Sequence, residues 1–155
     1  MEIGVVRRDG RGEAFFDGAA AGRLVIKRCG DCASWYAPDA TECPGCGGEL
    51  GWAAASGRAT LISWAISHAR PRQDGPVPTT TVPTTTVLAL VELSEGPWLH
   101  SRLAEVDRAD LREGLPLRAH FEHPDEGESY LVFHPESSVL TDHFSGDRPG
   151  EEPRP

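Results

Sequence analysis

At 155 residues, the chain has room for one medium domain, or for a small metal-clipped module joined to a second domain that buries its own core, and the second arrangement is expected. Its 24 acidic and 15 basic side chains leave a net charge of −9, which repels polyanions and argues against nucleic acid and anionic membranes as partners. No apolar run approaches the length of a membrane span, and the chain opens without an export signal, so a cytoplasmic location is expected.

Residues 1–11 are charged and aperiodic and read as a flexible arm. Glu13 to Ala21 is Ala-rich, sets Phe15 and Ala19 four apart beside Phe16 and Ala20, and stops at Gly22, which suits the left-handed position after a helix. A short helix is predicted, its two phenylalanines packing on their own protein rather than on a partner. Arg23 to Arg28 then reads as a strand leading into the first cysteine pair.

The four cysteines stand as Cys29-Gly30-Asp31-Cys32 and Cys43-Pro44-Gly45-Cys46, separated by ten residues. Two such pairs supply four thiolates around a tetrahedral ion and leave no position for water, so a structural Zn²⁺ held by Cys29, Cys32, Cys43 and Cys46 is predicted. Iron takes the same ligands and stays open at this point. Disulfides suit neither the close spacing nor the expected compartment, and redox chemistry would use only one pair. Gly45 and Gly47 are expected to let the backbone turn its amides toward sulfur, with Pro44 stiffening the turn. Trp35-Tyr36 and Glu49 to Ala53 are further short strands of a ribbon, and Trp35, Tyr36 and Trp52 are expected to cover the metal.

From Gly57 the pattern is β. Five strands are predicted: Gly57 to His68, Thr86 to Leu93, Pro97 to Leu103, Leu115 to Glu122 and Ser129 to His134. Ser94-Glu95-Gly96 is a hairpin turn, and Asp107 to Arg112 one helical turn capped by Asp107. Five antiparallel strands with a helical piece between the third and fourth fit an OB-type barrel. In the first strand, the face of Thr60, Ile62, Trp64 and Ile66 is expected to fill it. Ala69 to Thr85 holds most of a tandem Val-Pro-Thr-Thr-Thr and reads as a lengthened loop, because two prolines five apart forbid a central strand. Ser145 to Pro155 has the composition of a disordered tail. The division expected is 1–11 arm, 12–55 helix and zinc ribbon, 56–136 barrel, and 137–155 a largely disordered tail.

The order of these parts is distinctive. Ala14-Phe15-Phe16-Asp17-Gly18, the run from Gly22 to Cys29, Cys43-Pro44-Gly45-Cys46-Gly47, Ser56-Gly57-Arg58-Ala59-Thr60, Leu88 to Leu93 with Glu95-Gly96-Pro97, and Leu111 to Leu117 together resemble the DUF35 family. Those proteins pair a rubredoxin-like zinc ribbon with an OB fold and are associated with acyl-CoA chemistry. The resemblance covers roughly residues 12–135. It implies a mainly β protein, with an N-terminal short helix and zinc ribbon followed by a five-stranded OB-fold barrel. It also implies a non-catalytic accessory subunit beside a thiolase-like enzyme, an acyltransferase, an aldolase or a hydratase, helping to bind or pass the acyl-CoA.

No catalytic residue is predicted. The histidines fall into no nucleophile-base order, and His120, His123 and Asp125 read as solvated polar groups rather than a second metal site. CoA phosphates would still need local cations, and the candidates are Arg70 and Arg72, followed by Lys27 and Arg28. Two rival readings are a nucleic-acid-binding ribbon-OB protein and a stand-alone acyl-CoA hydrolase or lyase. The acidic loop from His123 to Glu128 speaks against the first, since a nucleic-acid OB fold would place lysines there.

Overall fold

A computed structural model describes residues 5–68 and 85–136. Arg70, Arg72, the tandem repeat up to Thr84 and the tail from residue 137 lie outside the described residues.

The first element is helix α1, Glu13–Ala20. Gly22, at φ 69°, ends it in a Schellman motif: Arg23 N–H donates to Gly18 O at 2.8 Å and Gly22 N–H to Ala19 O at 3.0 Å. The helix lies so close to the strand that follows that a Cβ on Gly18 would stand 2.8 Å from Arg23 O and 2.9 Å from Val25 Cγ2. Strands β1 (Val25–Cys29), β2 (Trp35–Tyr36) and β3 (Leu50–Ala54) form a small antiparallel sheet in the order β2-β1-β3.

Strands β4 (Arg58–His68), β5 (Thr85–Leu93), β6 (Trp98–Leu103), β7 (Pro116–Glu122) and β8 (Tyr130–Pro135) close into a barrel ordered β4-β5-β6-β8-β7. Every neighbouring pair is antiparallel, including the closing pair β4 and β7, except β6 and β8, which run parallel with Leu103 opposite Phe133. Between β6 and β7 a short 3₁₀ turn, Arg108–Asp110, is capped by the Asp107 carboxylate, which accepts from Ala109 N–H at 3.1 Å. This is the OB arrangement, with its five strands close to the bounds read from the pattern.

The inward face of β4 differs from the expected one. Ala59 and Leu61 are the buried residues near its start, not Thr60 and Ile62. A bulge between Leu61 and Ser63 then inserts one residue, so that Trp64 stands opposite Ala89 and Ile66 opposite Val87, both buried. Cross-strand partners share a face, so the bulge exchanges the two sets of side chains midway along the strand. Beyond residue 63 the expected residues share a face with buried partners, but Trp64 is 38% exposed and Ile66 only half-buried, so they edge the barrel rather than fill it.

Leu61, Val91, Leu93, Leu117 and Phe133 fill the barrel with almost no exposure, and Ala19, Leu24 and Ile26 from the helix and ribbon join the same core. Phe15 packs against it, as expected of a helix that buries one face at home. The two modules are joined at Ser56, whose N–H donates to Glu95 Oε1 at 2.6 Å and whose carbonyl accepts from Arg118 Nη1 at 3.5 Å.

Candidate metal centre

The four cysteine Sγ atoms converge from the end of β1 and two short loops until all lie within 4.8 Å of one another. Cys29 and Cys46 sulfurs are 3.5 Å apart, Cys32 and Cys43 3.5 Å, and Cys43 and Cys46 3.6 Å. A tetrahedron with Zn–S bonds of about 2.3 Å has edges of about 3.8 Å, so the cluster fits a four-thiolate ion after slight expansion. No disulfide joins them.

The two cysteine loops are built alike. In the first, Cys29 N–H donates to Ser34 O at 2.9 Å and Ala33 N–H to Cys29 O at 3.1 Å; in the second, Cys43 N–H donates to Gly48 O at 3.3 Å and Gly47 N–H to Cys43 O at 2.8 Å. The residue after each second cysteine must therefore turn left-handed: Ala33 has φ 60° and Gly47 φ 71°. Gly47 serves the turn as expected. Gly45 is absent from the left-handed residues, yet its amide does point at the Cys43 sulfur, as does that of Cys46; it also leaves room for Tyr36, whose Oη would lie 3.6 Å from a Cβ there. The first loop meets the same demand with an alanine, which is why no glycine signals it in the sequence.

Gly48, which no sequence signal marks as a site residue, is the tightest position. A Cβ there would overlap the Asp31 carboxylate and stand 3.0 Å from Cys29 Sγ. Asp31 can swing away, but a metal-bound thiolate cannot. Gly48→Ala is expected to weaken zinc binding by roughly 1–3 kcal/mol, the usual cost of overpacking a well-filled site. Competition with a chromophoric chelator measures it, and an unchanged affinity would show that the second loop has slack.

Tyr36 covers the centre: its hydroxyl lies 3.1 Å from Cys43 Sγ. That hydrogen bond holds the Cys43 thiol down at about 6, and the Ser34 hydroxyl lowers Cys32 in the same way. Cys46 goes the other way: Gly48 N–H favours its thiolate, yet the neighbouring sulfurs of Cys29, Cys43 and Cys32 push it up to about 12. Four thiolates at this distance repel one another, and a dication is the group that lets all four ionise together. All four donor positions of a tetrahedral ion are then taken by protein, which makes a structural site.

Of the residues predicted to meet CoA phosphates, Lys27 and Arg28 are described, and they are not brought together. Lys27 and Arg28 are successive on β1 and point to opposite faces. Lys27 Nζ sits 4.1 Å from the centroid of Trp52, and the Arg28 guanidinium 5.1 Å from that of Trp35, with Nε donating to Ala33 O at 3.4 Å. Trp52 and Trp35 thus support cations, and of the three aromatic residues expected over the metal, Tyr36 is the one with a bond to sulfur. Lys27 also lines a cavity of about 770 Å³ with Arg11, Phe15 and Asp39. His120 stacks on His134 at 4.4 Å, while His123 Nδ1 pairs with Ser129 Oγ at 2.7 Å. Among the described residues the cysteines are the one cluster able to hold a metal, and no helix is long and apolar enough to cross a membrane.

Residues 16–51 match the family described as the ChsH2 rubredoxin-like zinc ribbon domain, and residues 52–122 the ChsH2 C-terminal OB-fold domain. The chain is 32% identical over 128 residues to a probable enoyl-CoA hydratase alpha subunit of Thermomonospora curvata, covering 81% of this chain and 38% of that protein. It is 36% identical over 105 residues to the 3-oxo-4,17-pregnadiene-20-carboxyl-CoA hydratase alpha subunit of Mycobacterium tuberculosis, covering 68% of this chain and 32% of that one. The chain thus spans about a third of the length of these relatives. Among solved structures, it superposes with TM-score 0.66 and 29% identity on a chain of the Ltp2-ChsH2(DUF35) aldolase, covering 83% of this chain and 96% of that one. A DUF35 protein from Sulfolobus solfataricus, 16% identical with TM-score 0.54, covers 83% of this chain and 87% of its own and shares the fold.

Proposed function

The chain belongs to the DUF35 family, with the zinc ribbon and OB-fold domain of ChsH2 proteins, and from that premise we propose that it is a non-catalytic subunit of an aldolase or hydratase acting on a CoA thioester. The observation that carries this reading is the likeness over 96% of a chain that belongs to an aldolase named with ChsH2(DUF35). Cys29, Cys32, Cys43 and Cys46 hold one structural Zn²⁺ in this reading, and the ion's work is to shape the ribbon. With every donor position filled by sulfur, it offers no site for water or for a thioester carbonyl.

The relatives favour an aldolase or hydratase over a thiolase or acyltransferase as the partner. The accessory role draws support from the same name, which sets a ChsH2(DUF35) component beside Ltp2 in an aldolase. Contact with the acyl-CoA falls to Lys27, which reaches a cavity, rather than to Arg28, which lies on the opposite face of β1.

Co-expression with an aldolase subunit and with a hydratase subunit from the source cell tests the reading. A stable complex in gel filtration is expected, with acyl-CoA turnover at least about tenfold above that of the partner alone. Turnover by the isolated chain at the rate of the complex would overturn it, and so would failure to associate with either enzyme.

A further inference from the structure

The N-terminal segment, expected to be a loose arm, is tied to both modules. Val6 O accepts from Glu128 N–H at 2.9 Å, in the loop between β7 and β8. Gly127 lies under the segment so closely that a Cβ would stand 2.9 Å from both Val5 Cγ1 and Val6 O. Arg8 then reaches both ways. Its Nε donates to Glu128 at 2.9 Å, on the barrel, and its Nη1 to Glu13 at 2.8 Å and Asp17 at 2.7 Å, on helix α1. Its guanidinium also stands 5.8 Å from the centroid of Phe16, and Arg7 adds an exposed pair with Glu126 at 3.6 Å.

Arg8 and Glu128 keep only 28% and 27% of their side-chain surface exposed, so this pair is better shielded from solvent than an ordinary surface salt bridge. Three carboxylates from two modules converge on one guanidinium, and without it they would face one another as like charges. The geometry matters as much as the charge. The modules already meet through the covalent joint at residues 54–57 and through the core residues Ala19, Leu24 and Ile26, and the Arg8 tie adds a polar restraint that fixes their angle. Both halves of that tie, residues 5–8 and 126–128, lie outside the two matched domain families.

We propose that residues 5–8 are an electrostatic strap that sets the angle between ribbon and barrel, with Arg8 as its pin. The strap adds to the shared apolar core a hold on the angle of the two modules, and ionic strength sets how firmly it holds. It explains why the β7–β8 loop is acidic: Glu126 and Glu128 serve the strap.

The full zinc-loaded chain, labelled with ¹⁵N, gives two readouts. Residual dipolar couplings report whether ribbon and barrel share one alignment, and amide exchange at Glu128 reports whether the strap is seated. For the unmodified chain at low salt, one alignment tensor is expected to fit both modules. Arg8→Met keeps the apolar stem over Phe16 but removes the charge; it is expected to require two tensors and to speed Glu128 amide exchange by about tenfold, with zinc content unchanged. Glu128→Gln should speed that exchange by less, since Arg8 keeps its partners on α1. Should Arg8→Met fail to fold, raising salt on the unmodified chain to about 1 M, where the Debye length is about 3 Å, gives the same readout. One shared tensor with unchanged Glu128 exchange in Arg8→Met, or unchanged exchange in Glu128→Gln and at high salt, would overturn the proposal.

Discussion

Stripping the metal is expected to unfold the ribbon and to weaken the barrel with it. Residues 25–54 contain three short strands, one of them two residues long, and so little backbone and apolar area cannot offset its own conformational entropy. In comparable modules bound zinc supplies on the order of 10 kcal/mol of folding free energy. Cys43→Ser is the sharpest variant, because Cys43 is buried at 1% exposure and holds the hydrogen bond to Tyr36. The damage spreads because Leu24 and Ile26 belong to the barrel's own core cluster. Metal analysis should find one zinc per folded chain, and a chelator should collapse the ribbon amides in an NMR spectrum. Dispersed ribbon amides after complete zinc removal would sink this expectation. The pH dependence has a definite sign. In the metal-free cluster Cys43 sits at about 6 and Cys46 at about 12, so at neutral pH some thiols still carry protons that zinc must displace. Binding therefore releases protons, and affinity falls by about tenfold or more for each unit that pH drops.

The metal clip was legible because its chemistry is local: two cysteines three apart can meet one ion whatever the rest of the chain does. The barrel strands were legible because apolar alternation and Gly-bearing turns such as Ser94-Glu95-Gly96 act over a few residues, and Gly96 does take φ 110° there. Three features were not. The bulge at Leu61 to Ser63 leaves no residue signature, since it answers the curvature of a closing barrel, and one inserted residue reverses every later side chain. Gly48 looks in sequence like the second half of a flexible Gly-Gly pair, whereas its need arises from Asp31 and Cys29 across the clip. Arg8 looks like any charge in a polar arm, because Glu128 lies 120 residues away and only the assembled fold brings it near.

The dependence should run one way, from ribbon to barrel, and Phe133→Ala is expected to show it. Phe133 is fully buried, stands opposite Ala119 on β7 and opposite Leu103 on β6, and its carbonyl accepts from Ala104 N–H at 2.9 Å. It therefore sits where β8 joins β6, the parallel contact by which the barrel closes. Deleting a buried phenyl ring costs about 3–5 kcal/mol, a large share of the 5–15 kcal/mol that holds a domain folded. For a barrel of this size the melting temperature should fall by roughly 12–40 °C. Zinc stoichiometry below that temperature should stay at one per chain, because every thiolate lies on the ribbon. A fall of less than about 5 °C would mean that the barrel closes without this ring. Loss of zinc in the still-folded variant would mean that the barrel core shapes the clip, and that the order of dependence between the modules runs opposite to the one expected from Cys43→Ser.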